Sequence, residues 1–363
     1  MNWQISSRQV GFILFTLILG SAVTYMPESP AGRDAWISTV LAAPVGVYVL
    51  ILIIGTQKMF PGKSMLEVSE LVLGSWMGKM VNVLYVGLLF IMAAFYLYDL
   101  VVFLHSILLD LSMYYLYALL MLAVSYGVYQ GVNAVSRLVE LMVWMMPFFL
   151  GLAFLIMLIC CADFSQLTPV LADVKPVLVG AFYTANWPFA QASLLIMYLP
   201  LVVDLADKQK VIYIWYMVAA VIMVIRSALA VMVVGEGLIL LSRFPMFEAF
   251  RLIKASDFER IELFFFILVF TTGLLALLFS YQALIMGMQK LFNLKEITPL
   301  ILSGGIFLIA MSNYMFGSDL EVLLLETMVP FIMLPIQLLY PALIYMAGRI
   351  YLKGRGKKAS PIG

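Results

Sequence analysis

Apolar runs long enough to cross a lipid bilayer recur along most of this chain, and they constrain its fold more than any other feature. A membrane-spanning helix needs about 20 residues to cross a hydrocarbon layer of about 30 Å. Charged links and links that contain glycine or proline separate the runs, which predicts an all-α polytopic membrane protein with ten spans. The approximate bounds of these spans are 8–26, 35–57, 80–109, 113–130, 137–161, 179–203, 211–235, 261–289, 298–314 and 325–348.

The composition agrees with this class and argues against several functions. Of the 363 residues, 64% are hydrophobic and 11% are charged, and the mean hydropathy is +1.07. Soluble domains carry about a quarter charged residues. One His and two Cys leave little material for a metal site, and no nucleophile–base pair is apparent. The sequence therefore predicts no catalytic residues, no metal, no cofactor and no nucleic-acid partner; the lipid bilayer is the expected environment.

The distribution of Lys and Arg predicts the orientation of the chain in the membrane. Fourteen of these residues lie in links on one side and six in links on the other. Because positive residues accumulate in cytoplasmic links, both termini are predicted to be cytoplasmic. Ten spans then allow two halves of five, residues 1–161 and 162–349, with the second half inverted and a basic tail at 350–363.

Two of the predicted spans are interrupted by residues that disfavour a helix. The first span contains Gly20 and Ser21 and ends at Pro27, and the sixth contains the polar, proline-bearing stretch 183–191. Proline lacks the amide hydrogen that the next turn would use, and glycine weakens a helix. Each break lies in the first span of its half, which predicts discontinuous helices 1 and 6 around a transporter-type site. An unbroken first helix with a small-residue packing face is the alternative.

Three segments of the chain carry a resemblance to a known family. They are ISSRQVGFILFTLILGSAVTYMP, KPVLVGAFYTANWPFAQASLLIMYLP and RFPMFEAFRLIKASDFERIE. With these segments the chain resembles the spore germination B-subunit permeases, integral membrane subunits of germinant receptors in the amino acid–polyamine–organocation superfamily. The resemblance implies a five-plus-five inverted repeat and a small-molecule germinant, often an amino acid. It also implies an inner spore membrane location and assembly with an A-type and a lipoprotein C-type subunit.

An amino acid in a dry pocket needs partners for its ammonium and its carboxylate, because an unpaired charge is costly to bury. Freed backbone groups at the two breaks, with nearby hydroxyls and amides, are the predicted partners. Transporters of the superfamily often have Gly-Xaa-Gly at the first break, whereas this chain has Gly20-Ser21-Ala22. For the hydroxyl residues, a bond to their own helix backbone is the alternative interpretation. The predicted ligand-binding residues are Gly20, Ser21, Ala22, Thr24, Tyr96, Asp99, Asn186, Trp187, Gln191, Thr272 and Ser280.

Two charged residues lie well inside predicted spans, Asp99 in the third and Arg226 in the seventh. Ionisable groups within spans are usually functional, so Asp99 could bind a ligand ammonium or a coupling proton. A structural Asp99–Arg226 salt bridge is the alternative that we favour, because the two residues lie at similar depth and a buried charge needs a partner.

The sequence thus predicts the ligand-sensing membrane subunit of a spore germinant receptor. A small metabolite would fill the cavity between the broken helices and favour one of two conformations. One alternative is an amino acid transporter that works by alternating access. Another is a scaffold subunit that binds no ligand.

Overall fold

The computed structural model describes residues 3–20, 25–252, 262–316 and 319–358. These residues form α-helices, short 3-10 segments and an isolated β-bridge. The helices are α1 (Ser7–Leu19), α2 (Ala35–Met59), α3 (Met65–Leu73), α4 (Ser75–Ile107), α5 (Met113–Gln130), α6 (Val132–Met142), α7 (Met145–Cys160), α8 (Val174–Asn186), α9 (Leu205–Lys208), α10 (Lys210–Val234), α11 (Glu236–Leu241), α12 (Pro245–Arg251), α13 (Glu262–Leu291), α14 (Thr298–Met315) and α15 (Asp319–Lys358). The 3-10 segments are Ser29–Asp34, Phe164–Leu167, Phe189–Met197 and Leu199–Leu201.

Within the described residues, seven helical stretches are long and apolar enough to cross a membrane by themselves. They identify an integral, multi-pass membrane protein. The three other predicted spans correspond to α1, α5 and the segment that begins with α8. Helix α5 has 18 residues, and its five tyrosines reduce its hydropathy. Helices α1 and α8 have 13 residues each, because each ends at a break.

Two predicted spans differ from the observed helices, and the first difference has a local cause. The predicted span 137–161 is two helices, α6 and α7, that meet beside Pro147. Proline cannot donate the amide hydrogen that the carbonyl four residues earlier would accept, which weakens the helix at this point. The last predicted span, 325–348, is the longer helix α15, which continues through three internal prolines, Pro330, Pro335 and Pro341.

Helix α1 lies in the centre of the bundle. Every residue from Val10 to Leu19 is buried, and the helix packs against α10 and α13. Helix α2 packs against α8 and α10, and α4 packs against α13. A helix that is apolar all round needs a buried position, so this central placement accounts for the uninterrupted apolar sequence of α1.

A fully buried ion pair joins α10 to the segment that follows α1. Arg226 forms a salt bridge with Glu28, and both side chains have no solvent exposure. Arg226 also donates to the Tyr25 carbonyl at 3.0 Å, and the Ser227 hydroxyl donates to the Glu28 carboxylate at 2.6 Å. The favoured Asp99–Arg226 salt bridge is therefore wrong. Similar depth in the membrane does not determine which faces of two helices meet.

The residues before α1 are attached to the far end of the sixth predicted span. Ile5 forms a parallel β-bridge with Val202, and its amide donates to the Leu201 carbonyl at 3.0 Å. The Ser7 amide donates to the Asp204 carboxylate at 2.6 Å. Burial by itself would raise the pKa of Asp204, but the hydrogen bonds from Ser7 and the nearby charge of Lys208 together outweigh it and lower the pKa. The first and sixth predicted spans, which contain the two breaks, are thus joined at one end as well as at the breaks.

Replacing Arg226 with Gln is expected to destabilise the protein by about 3–5 kcal/mol, because Glu28 is left as an unpaired buried carboxylate. The double variant Arg226→Met with Glu28→Leu removes both charges and should recover most of this loss. Melting curves of the purified full-length protein in detergent measure the difference.

The matched control is Arg251→Gln, which breaks an exposed pair with Glu248 (side chains 57% and 45% exposed). Exposed pairs contribute about 0–1 kcal/mol. If Arg226→Gln and Arg251→Gln lower the melting temperature equally, the buried pair does not have the stabilising role that we assign to it.

Candidate ligand-binding site

Helix α1 ends at Leu19 and is followed by Gly20, part-way through the first predicted span. The Gly20 amide donates to the Thr16 carbonyl at 2.9 Å in the last helical bond. A Cβ at this position would lie 2.7 Å from the Cβ of Ala276 on α13 and 3.0 Å from Cε1 of Tyr96 on α4. Glycine therefore lets α1, α4 and α13 approach closely at the break. The predicted site residues Ser21, Ala22 and Thr24 lie outside the described residues.

The second break follows α8. Helix α8 ends at Asn186, Trp187 is extended with φ −136° and ψ 111°, and the chain continues as the 3-10 segment Phe189–Met197. Pro188 has no amide hydrogen to continue the helix. Helices α1 and α8 thus both end inside a predicted span, at the positions where the sequence predicted an interruption.

Tyr96 connects the two breaks. Its hydroxyl donates to the Leu17 carbonyl, in the last turn of α1, at 2.9 Å. The side-chain oxygen Oε1 of Gln191, which follows the second break, is a second acceptor for the same hydroxyl proton. The Tyr96 and Trp187 rings lie with their centroids 4.6 Å apart. Carbonyls in the last turn of a helix lack a helical partner, and here a side chain from α4 supplies one.

Two buried amides beside the second break each have a polar atom that finds no hydrogen-bond partner among the residues that the structure describes. They are Nε2 of Gln191 and Oδ1 of Asn186, and the residues are 0% and 4% exposed. Leaving such an atom unpaired costs about 1–3 kcal/mol. One is a donor and the other an acceptor, so together they provide hydrogen bonds that a polar ligand could complete.

A cavity of about 40 Å³ adjoins the second break. It has room for a few water molecules at most. Its polar and charged lining residues are Tyr25, Asp99, Tyr183, Asn186 and Glu326. Its apolar lining residues are Pro27, Phe95, Trp187, Val329, Pro330 and Met333.

Charged side chains from three parts of the chain meet at this cavity. Nη2 of Arg243 lies 3.5 Å from Oδ1 of Asp99 and 3.1 Å from Oε1 of Glu326. Its guanidinium carbon lies 5.1 Å from the centre of the Tyr98 ring. Burial by itself would lower the pKa of Arg243, but Asp99 and Glu326 outweigh it and raise the pKa. Arg243 therefore stays charged.

The predicted site residues separate into three groups in the structure. Asp99, Asn186 and Trp187 line the cavity, whereas Gly20, Tyr96 and Gln191 form the contacts between the breaks. Thr272 and Ser280 are not part of either group, since their hydroxyls donate to carbonyls of their own helix, α13. For these two residues the structure agrees with the alternative interpretation.

Sequence reasoning missed two charged residues of the site, Glu326 and Arg243. Glu326 is the second residue of the last predicted span, and a carboxylate inside a span was a signal that could have been followed. Arg243 lies in the link between α11 and α12 and was counted only as a link charge. Nothing local in the sequence indicated that this link folds back onto α4 and α15.

A second, larger cavity of about 840 Å³ lies at the opposite end of the sixth predicted span. Met197, Pro200 and Leu201 line it on one side, and Glu67 and Lys290 line it on another. In the chain, Gln191 lies between the residues of the sixth predicted span that line the two cavities.

Comparison with known proteins identifies the family. Residues 4–319 match the family described as "Spore germination protein". The chain belongs to this family. It is 29% identical over 367 residues to "Spore germination protein KB" of Bacillus subtilis (strain 168), which covers 98% of this chain and 97% of that protein. The resemblance predicted from the sequence is confirmed, and the family is one of membrane germination proteins rather than of enzymes.

The fold is similar to that of a solved transporter-like structure, "Crystal structure of MhsT in complex with L-phenylalanine". The TM-score is 0.73, with 14% sequence identity, over 94% of this chain and 89% of that chain. At this level of identity the likeness concerns the fold alone. This member of the spore germination protein family thus has a transporter-like helical architecture.

The Tyr96→Phe variant is expected to be about 1–3 kcal/mol less stable, because the Leu17 carbonyl and Gln191 lose their shared partner. Melting curves of the purified protein measure this loss. The control is Tyr114→Phe on α5, where the residue is 68% exposed and no change is expected. A Tyr96→Phe protein as stable as the wild type would contradict the bridging role of this hydroxyl.

Proposed function

We propose that this chain is the membrane subunit of a spore germinant receptor, and that it binds a small-molecule germinant between its two helix breaks. An amino acid is the first candidate. The observation that carries the proposal is the pair of breaks held together by Tyr96, next to two buried atoms, Oδ1 of Asn186 and Nε2 of Gln191, that have no hydrogen-bond partner among the described residues. Membership of the germination family and the L-phenylalanine bound by MhsT support it.

The size of the cavity suggests how binding could produce a signal. At about 40 Å³ the cavity is too small for an amino acid, so a bound germinant must widen it. The ligand would favour a conformation in which the lining elements α4, α8 and α15 lie further apart. It can shift the equilibrium only by the difference between its affinities for the two states. We propose that partner subunits respond to this change in helix packing.

The remaining parts of the proposal concern architecture and surroundings. We propose a five-plus-five inverted repeat in residues 1–161 and 162–349, with a basic cytoplasmic tail at 350–363. The receptor would lie in the inner spore membrane with an A-type subunit and a lipoprotein C-type subunit. Both chain termini would face the cytoplasm.

Gly20→Ala is expected to slow germination at least tenfold in spores whose only receptor contains this chain. The added methyl group would push Ala276 and Tyr96 away from the break. The rate of spore germination is measured with a panel of L-amino acids, sugars and nucleosides. Immunoblotting verifies the amount of protein. Gly87→Ala on α4 is the control, since a Cβ there meets nothing within 4 Å.

Normal germination of Gly20→Ala spores would contradict the proposed site. It would instead support the hypothesis that the chain is a scaffold that binds no ligand.

An amino acid transporter with alternating access is the second candidate. Cavities lined by opposite ends of the sixth predicted span favour it, because a transporter exposes one site to each side of the membrane in turn. Uptake into proteoliposomes that contain only this chain distinguishes the two functions. Saturable accumulation driven by a proton or sodium gradient would favour transport. Binding without accumulation would favour the receptor subunit.

The two native cysteines provide a test of orientation. Cys160 is exposed at the end of α7, which the proposed topology places on the outer side. A membrane-impermeant maleimide should therefore label intact protoplasts without permeabilisation. Burial raises the pKa of the Cys161 thiol, so the exposed Cys160 is the expected site of labelling. The reaction is run at about pH 8.5, close to the pKa of a free thiol.

The Cys160→Ser, Cys161→Ser double variant should not be labelled and serves as the control. Labelling that requires permeabilisation would reverse the proposed orientation.

A further inference from the structure

Residues 3–7, which lead into α1, form a strap beside the larger cavity, and Trp3 lines that cavity. The Ile5 amide donates to the Leu201 carbonyl at 3.0 Å, and the Val203 amide donates to the Ile5 carbonyl at 3.1 Å. The Ile5 side chain is buried. The strap is therefore attached through its backbone to the chain at the end of the sixth predicted span.

Two side-chain acceptors from distant parts of the chain also hold the strap. Oδ1 of Asn133, at the start of α6, accepts from the Gln4 amide at 3.2 Å. Oδ1 of Asp204 accepts from the Ser7 amide at 2.6 Å. Amides in the first turn of a helix have no acceptor within the helix, and for Ser7 the Asp204 carboxylate supplies one. The strap is thus bonded to α6 as well as to the chain after the sixth predicted span.

The first turn of α1 adds further contacts with α6. Arg8 forms a salt bridge with Glu140, and Nε2 of Gln9 donates to the same carboxylate at 3.3 Å. Helix α1 in turn packs against the 3-10 segment Phe189–Met197. At this end of the bundle, α1, α6 and the end of the sixth predicted span therefore form one connected unit.

We propose that the strap holds this end of the bundle closed, so that the ligand enters and leaves only from the side of the smaller cavity. This inference rests on the proposed function and specifies the route of the germinant. The chain then binds its ligand without carrying it across the membrane. The strap contacts lie apart from the residues of the candidate site, so they can be altered without changing that site.

The route toward the larger cavity shows why the strap would block it. A ligand that moved there from the helix breaks would pass between α1 and the segment Phe189–Met197, in which every residue is buried. Parting these elements breaks the pairing of Ile5 with Leu201 and Val203 and moves Ile5 out of its buried position. Two conformations of a protein differ by a small free energy, so the loss of these contacts is sufficient to make the opened one rare. A transporter has to populate that conformation, whereas a receptor subunit does not.

Uptake into proteoliposomes by the wild type and two altered proteins tests the inference. Deletion of residues 2–5 removes Trp3 and the backbone pairing of Ile5. The double variant Asn133→Ala with Asp204→Ala removes both side-chain acceptors of the strap. The probes are radiolabelled L-alanine, L-leucine, L-phenylalanine, glucose and inosine. Each altered protein should take up at least one probe, in a saturable manner, at least tenfold faster than the wild type.

The matched control is the double variant Asn133→Asp with Asp204→Asn. It changes the same two residues but keeps an acceptor oxygen for each strap amide, so its uptake should equal that of the wild type. Melting curves verify that each protein is folded. Because the two altered proteins weaken the strap from opposite sides, the failure of one to fold leaves the other as the test.

Two results would overturn the inference. Wild-type uptake as fast as that of the altered proteins would show that the strap does not restrict the ligand. No uptake by any of the proteins would show that the strap is not what closes this end. The Gly20→Ala spores separate these results from the function on which the inference rests. If those spores germinate at least tenfold more slowly than the wild type, the proposed site stands and only the role of the strap fails.

Discussion

A backbone polar group that leaves a helix inside a bilayer must find its partner within the protein, because lipid offers none. The centre of this structure depends on that constraint. Helix α1 ends at Leu19 and α8 ends at Asn186, and the Tyr96 hydroxyl links the end of one to the residues after the other. The close approach needed for this contact requires Gly20, since even a methyl group would displace Ala276 or Tyr96.

Two ion clusters flank this centre and differ in exposure. The Arg226–Glu28 pair has no solvent exposure and fixes the segment after α1 to α10. In the cluster of Asp99, Arg243 and Glu326, the side chains are 12–30% exposed. A fully buried pair is costly to separate, whereas a partly exposed one can exchange partners at lower cost. The first therefore suits a structural role, whereas the second is less costly to rearrange.

Much of the candidate site could be predicted because its signals are local. Gly20 and Pro188 interrupt apolar helices, and Asp99 is a charge inside a span, so each is visible without knowledge of the fold. The pairing of charges could not be predicted in this way. Arg226 pairs with Glu28 rather than Asp99, and Asp99 pairs with Arg243, because pairing depends on the rotation of each helix and on the path of the links.

The sequence by itself determined the membrane class, most of the spans and the two helix breaks. These follow from hydropathy and from local backbone chemistry, such as the amide hydrogen that proline lacks. Only the tertiary structure decided that Tyr96 joins the breaks and that the link between α11 and α12 brings Arg243 to Asp99 and Glu326. Those contacts join residues far apart in the chain, so they depend on how the helices pack rather than on what each segment prefers alone.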